Sequence, residues 1–384
     1  MNATTTDATE VVARPTDIFS REELEAFSAR SDLRGALLIA HCWAMIIGVW
    51  TVCVLFPHPL MIVLGMVLVG TRQLGLGVIA HDAAHFLLFN NATINDWAGQ
   101  WFCNRPLLGA SVIPYRKYHL QHHRFTQQEN DPDLVLSAPF PTTPASLRRK
   151  FLRDLFGQTG WKQRVGAVGG FFQRRDARGL DWGKGLRRLG PNLLINAVFL
   201  AGFAAVGAGF LYILLWVLPN LTWELLVSRV RNIGEHAVVP DNDDRLRNTR
   251  TILANPLVRL MLAPYFVNYH LEHHLVVSAP CYRLPDVHKA LLAKATGRGW
   301  RSGPGMRKSC AWPRGTRPEP GLTASLDHCG LLVVPDTDGV IGCADVFVIG
   351  HVFRLLDVVN CDLTYFGKAL FPLSRAGATR WRNI

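Results

Sequence analysis

The stretch "LLINAVFLAGFAAVGAGFLYILLWVL", Leu193 to Leu218, runs for 26 residues without a charge. As one helix it would cross a bilayer once and leave its flanking segments on opposite faces. As two helices turning near Gly207-Ala208-Gly209, the second would continue through "WVLPNLTWELLV" and return near Arg229. A membrane span takes about 17–25 apolar residues, so hydropathy alone permits either reading. The choice sets the parity of the whole fold, and residues elsewhere in the chain make it.

Upstream, Gly35 to Phe56, "GALLIAHCWAMIIGVWTVCVLF", has 22 residues and no charge. That length spans roughly 30 Å of hydrocarbon at about 1.5 Å per residue. Pro57-His58-Pro59 breaks it, and Leu60 to Ala80 crosses back with Arg72 and Gln73 inside. Polar groups within a span face other helices or a cavity rather than lipid, which applies equally to Asn220 and Glu224. From His81 to Pro191 the chain is polar and holds 16 Lys and Arg, while the 57–59 turn holds none. By the positive-inside rule this large loop and the N-terminus are cytosolic.

Composition agrees with an integral, multi-pass membrane protein: 49% hydrophobic residues, 18% charged, and a mean hydropathy of +0.14. The net charge of +12 invites a nucleic-acid reading, but basic residues retained on the cytosolic face explain it better, so no nucleic-acid partner is expected. The eight cysteines form no C-x-x-C, and Cys42 and Cys53 lie inside apolar runs. Neither a disulfide framework nor a thiolate metal site follows from them. The opening "MNATTTDATEVVARPTDIF" has no apolar core and is not a secretory signal. Ser20 and Glu23 have the spacing of a capping box opening a short helix.

The chain divides into a cytosolic N-terminal segment (1–34), a membrane domain (35–295) and an atypical tail (296–384). "NPLVRLMLAPYFVNYH", before the tail, could lie flat at the interface. The tail opens with "GRGWRSGPGMRKSCAWPRGTRPEPG", whose Gly, Pro and Arg read as disordered linker. The runs "LLVV" and "VFVI" around "PDTDG" read as strands. With half the cysteines, the tail has the character of a frame-shifted reading of GC-rich sequence.

Three histidine clusters supply the missing constraint. They are "HDAAH" (His81, His85), "HLQHH" (His119, His122, His123) and "HLEHH" (His270, His273, His274), eight of the chain's 14 histidines. On a helix, residues three and four apart share one face, about 5–6 Å apart, so each cluster aims its imidazoles at one point. Imidazole nitrogen at that density indicates a metal site. Eight nitrogens exceed the four positions of a tetrahedral zinc; two metals with nitrogen-rich shells and an open position fit better, and they point to iron and dioxygen chemistry. Ligand type alone also admits manganese or zinc. For the clusters to meet, His81, His119 and His270 must lie on one face of the membrane. An even number of spans then separates the first cluster from the third, and the 26-residue run must split. The expected fold is all-α: four transmembrane helices in two hairpins, with a cytosolic helical cap holding a di-metal site.

The order of the clusters and their position after two spans resemble the membrane-bound fatty acid desaturase/hydroxylase superfamily, over about residues 35 to 295. "NYHLEHHLVVSAPCYRLPDVH" is especially similar to acyl desaturases, and "HDAAH" and "HHRFTQQENDPDL" fit the same pattern. The resemblance implies a ninth ligand after the fourth span, His236 of "NIGEH", with Asn232 reaching metal through water. It departs in the first cluster, where the acyl-CoA branch has one more residue between the histidines. No H-P-G-G haem motif is present, so the resemblance implies a separate electron donor, a ferredoxin or a cytochrome b5 type protein with its reductase.

Ligating imidazoles usually donate their second N–H to a carboxylate or carbonyl. Asp82, Asp131, Asp133, Glu235 and Glu272 lie within or beside the clusters and are candidates for that role. Trp97, Trp101, Phe102 and Trp223 are candidates to line a substrate channel, with interfacial anchoring or core packing as their competing role. His41, His58, His288, His328 and His351 have no partner at ligand spacing or lie at the wrong depth. The chemistry implied is oxidation of an unactivated methylene by dioxygen at two irons, giving a double bond in an acyl-lipid or acyl thioester chain. A hydroxylase or ketolase of a carotenoid or another long apolar molecule is the alternative within the superfamily. A membrane metal transporter is the alternative outside it, although transporters place their ligands near mid-bilayer.

Overall fold

The computed structural model describes residues 14–109, 111–174 and 179–296, and the backbone of Leu331–Leu332. Most of the expected tail lies outside the described residues. Leu331–Leu332, the start of "LLVV", pairs antiparallel with Leu253–Ala254.

Among the described residues four helices are long and apolar enough to cross a membrane. A short helix, α1 (Arg21–Ser28), precedes them and opens on the expected capping box: the Glu23 N–H donates to Ser20 Oγ, and the Ser20 N–H donates to Glu23 Oε2. These candidate spans are α2 (Asp32–Leu55), α3 (Pro59–Ala84), α7 (Trp182–Ala205) and α8 (Gly209–His236). Between α3 and α7 lie α4 (Val112–Phe125), α5 (Pro144–Leu155) and α6 (Gln158–Phe172). After α8 come α9 (His270–Leu275) and α10 (Leu284–Thr296). Side-chain caps open several of these helices, as at Ser31 for α2, Thr143 for α5 and Asp181 for α7.

The 26-residue run splits where the glycines are. Helix α7 ends at Ala205, Gly207 takes φ +73°, and α8 begins at Gly209. A left-handed residue is the common way to end a helix, and glycine takes that conformation without steric cost. The two halves then pack on each other: Asn196 Oδ1 accepts from both Tyr212 Oη and Trp216 Nε1 at 3.0 Å. Helices α2 and α3 also pack together, with the Cys42 thiol 3.3 Å from the Arg72 carbonyl and the Cys53 thiol 3.4 Å from that of Met61.

The polar residues inside the spans face protein. Gln73 is buried and donates to the Trp216 carbonyl; Arg72 is buried and donates to the Leu260 carbonyl. Thr71 likewise donates to the Met261 carbonyl. The segment expected to lie flat at an interface therefore packs on α3 about ten residues below His81, or about 15 Å along the helix, because unpaired polar groups there need its carbonyls. Asn220 is buried, and Glu224 pairs with Arg164 of α6 at 3.3 Å. Helix α1 shares a core cluster with the third histidine segment and α10: Phe19 and Phe27 pack with Leu275, Val276, Leu284 and Val287.

Candidate metal centre

Nine imidazoles converge where α3, α4, α8 and α9 meet. His81 lies in the last turn of α3 and His85 caps it. Arg116 of α4 binds that helix end: its guanidinium donates to the carbonyls of Ala83 and Ala84 and pairs with Asp96. A cation at a helix C-terminus satisfies its unpaired carbonyls and complements the dipole. This contact sets α4 against α3 and brings the first two clusters together.

The imidazoles fall into two groups. His81, His85, His119, His123 and His273 form one; His122, His236, His270 and His274 form the other. Within each group the nearest ring nitrogens lie within 4.8 Å of one another. The partition follows from helix geometry. His119 and His123, four apart, point one way, and His122 between them points to the other group. In α9 the same motif is reversed: His270 and His274 join the second group and His273 the first.

These nitrogens fit metal ions better than they fit one another. His123 Nε2 lies 2.9 Å from His119 Nε2 and 3.0 Å from His273 Nε2. His270 Nε2 lies 2.7 Å from His236 Nε2 and 3.1 Å from His274 Nε2. A neutral imidazole nitrogen holds one proton or one lone pair, so such convergence cannot be satisfied by hydrogen bonds alone. Nitrogens bound to one ion at about 2.1 Å sit about 3.0 Å apart when adjacent and about 4.2 Å apart when opposite, which agrees with the short contacts and is close to the 4.8 Å limit on separations within each group. His85 Nε2, buried, has no hydrogen-bond partner either. Burial, reinforced by the neighbouring imidazoles, holds His85, His119, His123, His270, His273 and His274 well below the usual histidine range. All six are therefore neutral at pH 7, the form that binds metal.

The acidic residues divide. Asp131 is buried and accepts from His122 Nδ1 at 2.8 Å, which leaves Nε2 facing the group. Asp133, 3.8 Å from the same nitrogen, accepts from Tyr118 Oη at 2.5 Å. Asp82 stands 3.7 Å from His81 Nδ1 and accepts from the Cys281 N–H. Glu235 stands 3.7 Å from His270 Nδ1 and takes two hydrogen bonds from Arg231. Glu272 contacts no imidazole of the clusters; its oxygens accept from Thr251 and His288. His288, set aside on sequence for want of a partner at ligand spacing, thus belongs to the architecture of the site. Thr126, one residue past α4, places Oγ1 3.2 Å from His274 Nδ1. Neither contact is readable from local spacing.

A cavity of about 300 Å³ opens on both groups, reaching His81, His119 and His273 of one and His122, His236 and His270 of the other. Asn232 lines it, as do the apolar Leu74, Gly77, Val78, Leu136, Val267 and Leu284. None of the four aromatics expected along a channel lines it. Trp223 is spent on packing: its ring covers Gly70, where a Cβ would come within 2.9 Å of it, and its Nε1 donates to Thr71. Trp97 and Phe102 pack edge to face on the exposed surface, and Trp101 lies under the Arg105 guanidinium.

Residues 57–303 match the fatty acid desaturase family. A dihydrorhizobitoxine desaturase of Bradyrhizobium elkanii is 31% identical over 295 residues, covering 71% of this chain and 79% of the relative. A beta-carotene ketolase of Paracoccus sp. (strain PC1) is 25% identical, covering 67% of this chain and 91% of the relative. A second, from Paracoccus sp. (strain N81106 / MBIC 01143), is 24% identical over 60% and 80%.

Proposed function

The chain belongs to the fatty acid desaturase family, and from that premise we propose that it inserts a double bond into a fatty acyl chain, lipid-linked or thioester, at a histidine-held di-iron centre. The observation that carries this reading is the convergence of nine imidazoles into two groups that share one cavity. His81, His85, His119, His123 and His273 would hold one iron. His122, His236, His270 and His274 would hold the other, with Asn232, which lines the cavity, able to contribute through water. The irons, when bound, supply oxidation of an unactivated methylene by dioxygen: the pair –CH2–CH2– with O2, two electrons and two protons gives –CH=CH– and two waters.

The protein's own residues position and exclude. Asp131 fixes the tautomer of His122, and Arg116 fixes the first cluster against the second. The apolar wall of Leu74, Val78, Leu136, Val267 and Leu284 holds the methylenes beside both groups and keeps the site dry. Residues 35–295 form the working unit, as two transmembrane hairpins under a cytosolic cap, an orientation supported by the basic loop 81–191. Electrons come from a separate ferredoxin or cytochrome b5 type donor. Trp97, Trp101 and Phe102 anchor the chain at the interface. His81 and His236 stand at the ends of spans and the other seven histidines outside them, an arrangement unlike a transporter's mid-bilayer site.

The test is expression in a host of known lipid profile, followed by mass spectrometry of fatty acids and isoprenoids, with dihydrorhizobitoxine fed in parallel. New acyl double bonds that vanish in His122→Ala support the proposal. Keto groups on isoprenoids would instead assign the activity that the Paracoccus relatives carry in their names, and hydroxyl groups a hydroxylase.

A further inference from the structure

Helix α9 carries three of the nine imidazoles on six residues and has no side-chain N-cap. Isolated helices shorter than about 12 residues are marginal, so α9 cannot hold its own rotational setting. At about 100° per residue, His270, His273 and His274 cover one face and Glu272 lies on the opposite one. Glu272 is 1% exposed. Its Oε1 accepts from His288 Nδ1 at 2.5 Å and its Oε2 from Thr251 Oγ1 at 2.5 Å.

The two donors come from different directions. His288 belongs to α10, which packs through Leu284, Val287 and Leu291 on Leu275 and Val276 at the end of α9. Thr251 sits in a strap that joins α8 to the approach to α9. The Arg250 N–H donates to the Glu235 carbonyl, and Ile252 exchanges hydrogen bonds with Asn268 through its N–H and its carbonyl. We infer that Glu272, held between Thr251 and His288, is a rotational lock that sets α9 so that His270 and His274 face one metal while His273 faces the other. With side chains ending about 5–6 Å from a helix axis, a turn of 20° would displace each ring nitrogen by about 2 Å, against a ligand-distance tolerance of about 0.2 Å. The inference rests on the reading of the nine imidazoles as iron ligands.

Because α9 serves both groups, releasing the lock weakens both irons, whereas a defect confined to one group would weaken one. Anaerobic Fe2+ titration of the purified full chain reads this directly, with the ultraviolet–visible and Mössbauer spectra of the loaded protein as a second readout and the thermal midpoint of the metal-free protein as a third. His288→Ala and Thr251→Val are each expected to weaken both sites by about 10–100-fold, the range for lost outer partners of metal ligands. His288→Asn, whose amide N–H can replace Nδ1–H, restores most of the affinity and the spectrum. Wild-type affinity in His288→Ala, or a lowered thermal midpoint with unchanged iron binding, overturns the lock and leaves the di-iron reading standing. A wild-type chain that binds no iron overturns both. Should His288→Ala not fold, Thr251→Val and His288→Asn still decide between these outcomes.

Discussion

His236 Nε2 and His270 Nε2 lie 2.7 Å apart across the end of α8 and the start of α9, although 34 residues separate them in the chain. The Arg250–Ile252 strap is what closes that distance, since it bonds backbone at both Glu235 and Asn268. His236→Ala should therefore bind close to one iron per chain instead of two, with activity reduced beyond the about 10–100-fold expected for loss of an outer partner. Iron per chain by plasma mass spectrometry checks it; two irons in the variant would remove His236 from the ligand set.

Asp131→Asn should be milder. The amide still accepts from His122 Nδ1 but no longer raises the basicity of that imidazole, so iron affinity or turnover should fall within about 10–100-fold. Asp131 also accepts from the N–H groups of Gln127 and Asp133, so part of the loss should appear as a lower thermal midpoint.

Gly77 lies one turn before His81 and lines the cavity, with nothing within 4 Å of where its Cβ would stand. Gly77→Leu can thus fill the cavity without moving α3. The expected result is a fall in kcat/KM of at least about tenfold, or 1.4 kcal/mol, at unchanged iron content. Equal kcat/KM in variant and wild type would show that the substrate enters elsewhere.

Acid should destabilise the metal-free protein. Six imidazoles outside the spans, buried or half-buried, are held well below the usual range, while in the unfolded chain they titrate near about 6.5. Below that pH the unfolded state binds more protons, so folded stability is complete above about pH 6.5 and is lost as pH falls, by up to about 1.4 kcal/mol per imidazole per pH unit. Thermal midpoints between pH 7.5 and 5.5 check the slope; a flat profile would mean that the rings are solvated.

Asn196→Leu should loosen the contact between α7 and α8 by removing the acceptor for Tyr212 and Trp216. Hydrogen bonds between membrane helices contribute about 0.6 kcal/mol on average, so the variant should lose about 1 kcal/mol in a reversible unfolding assay.

What the sequence determined by itself was everything that depends on neighbours along the chain. Charge-free runs of sufficient length marked the spans, and helical spacing put His119, His122 and His123 on one face, as it did His270, His273 and His274. The need for three clusters on one side of a membrane then decided that Leu193–Leu218 must turn, and Gly207 supplies the left-handed residue that turns it. Tertiary structure decided the rest. Which imidazole joins which group depends on the rotation of α4 and α9 about their axes, and rotation is set by packing against elements far away in sequence. For the same reason His288 was invisible as a partner of Glu272, and Trp223 proved to cover Gly70 and not to line the cavity. Local spacing carries the angle between side chains on one helix; only contacts between helices carry the angle of that helix to the site.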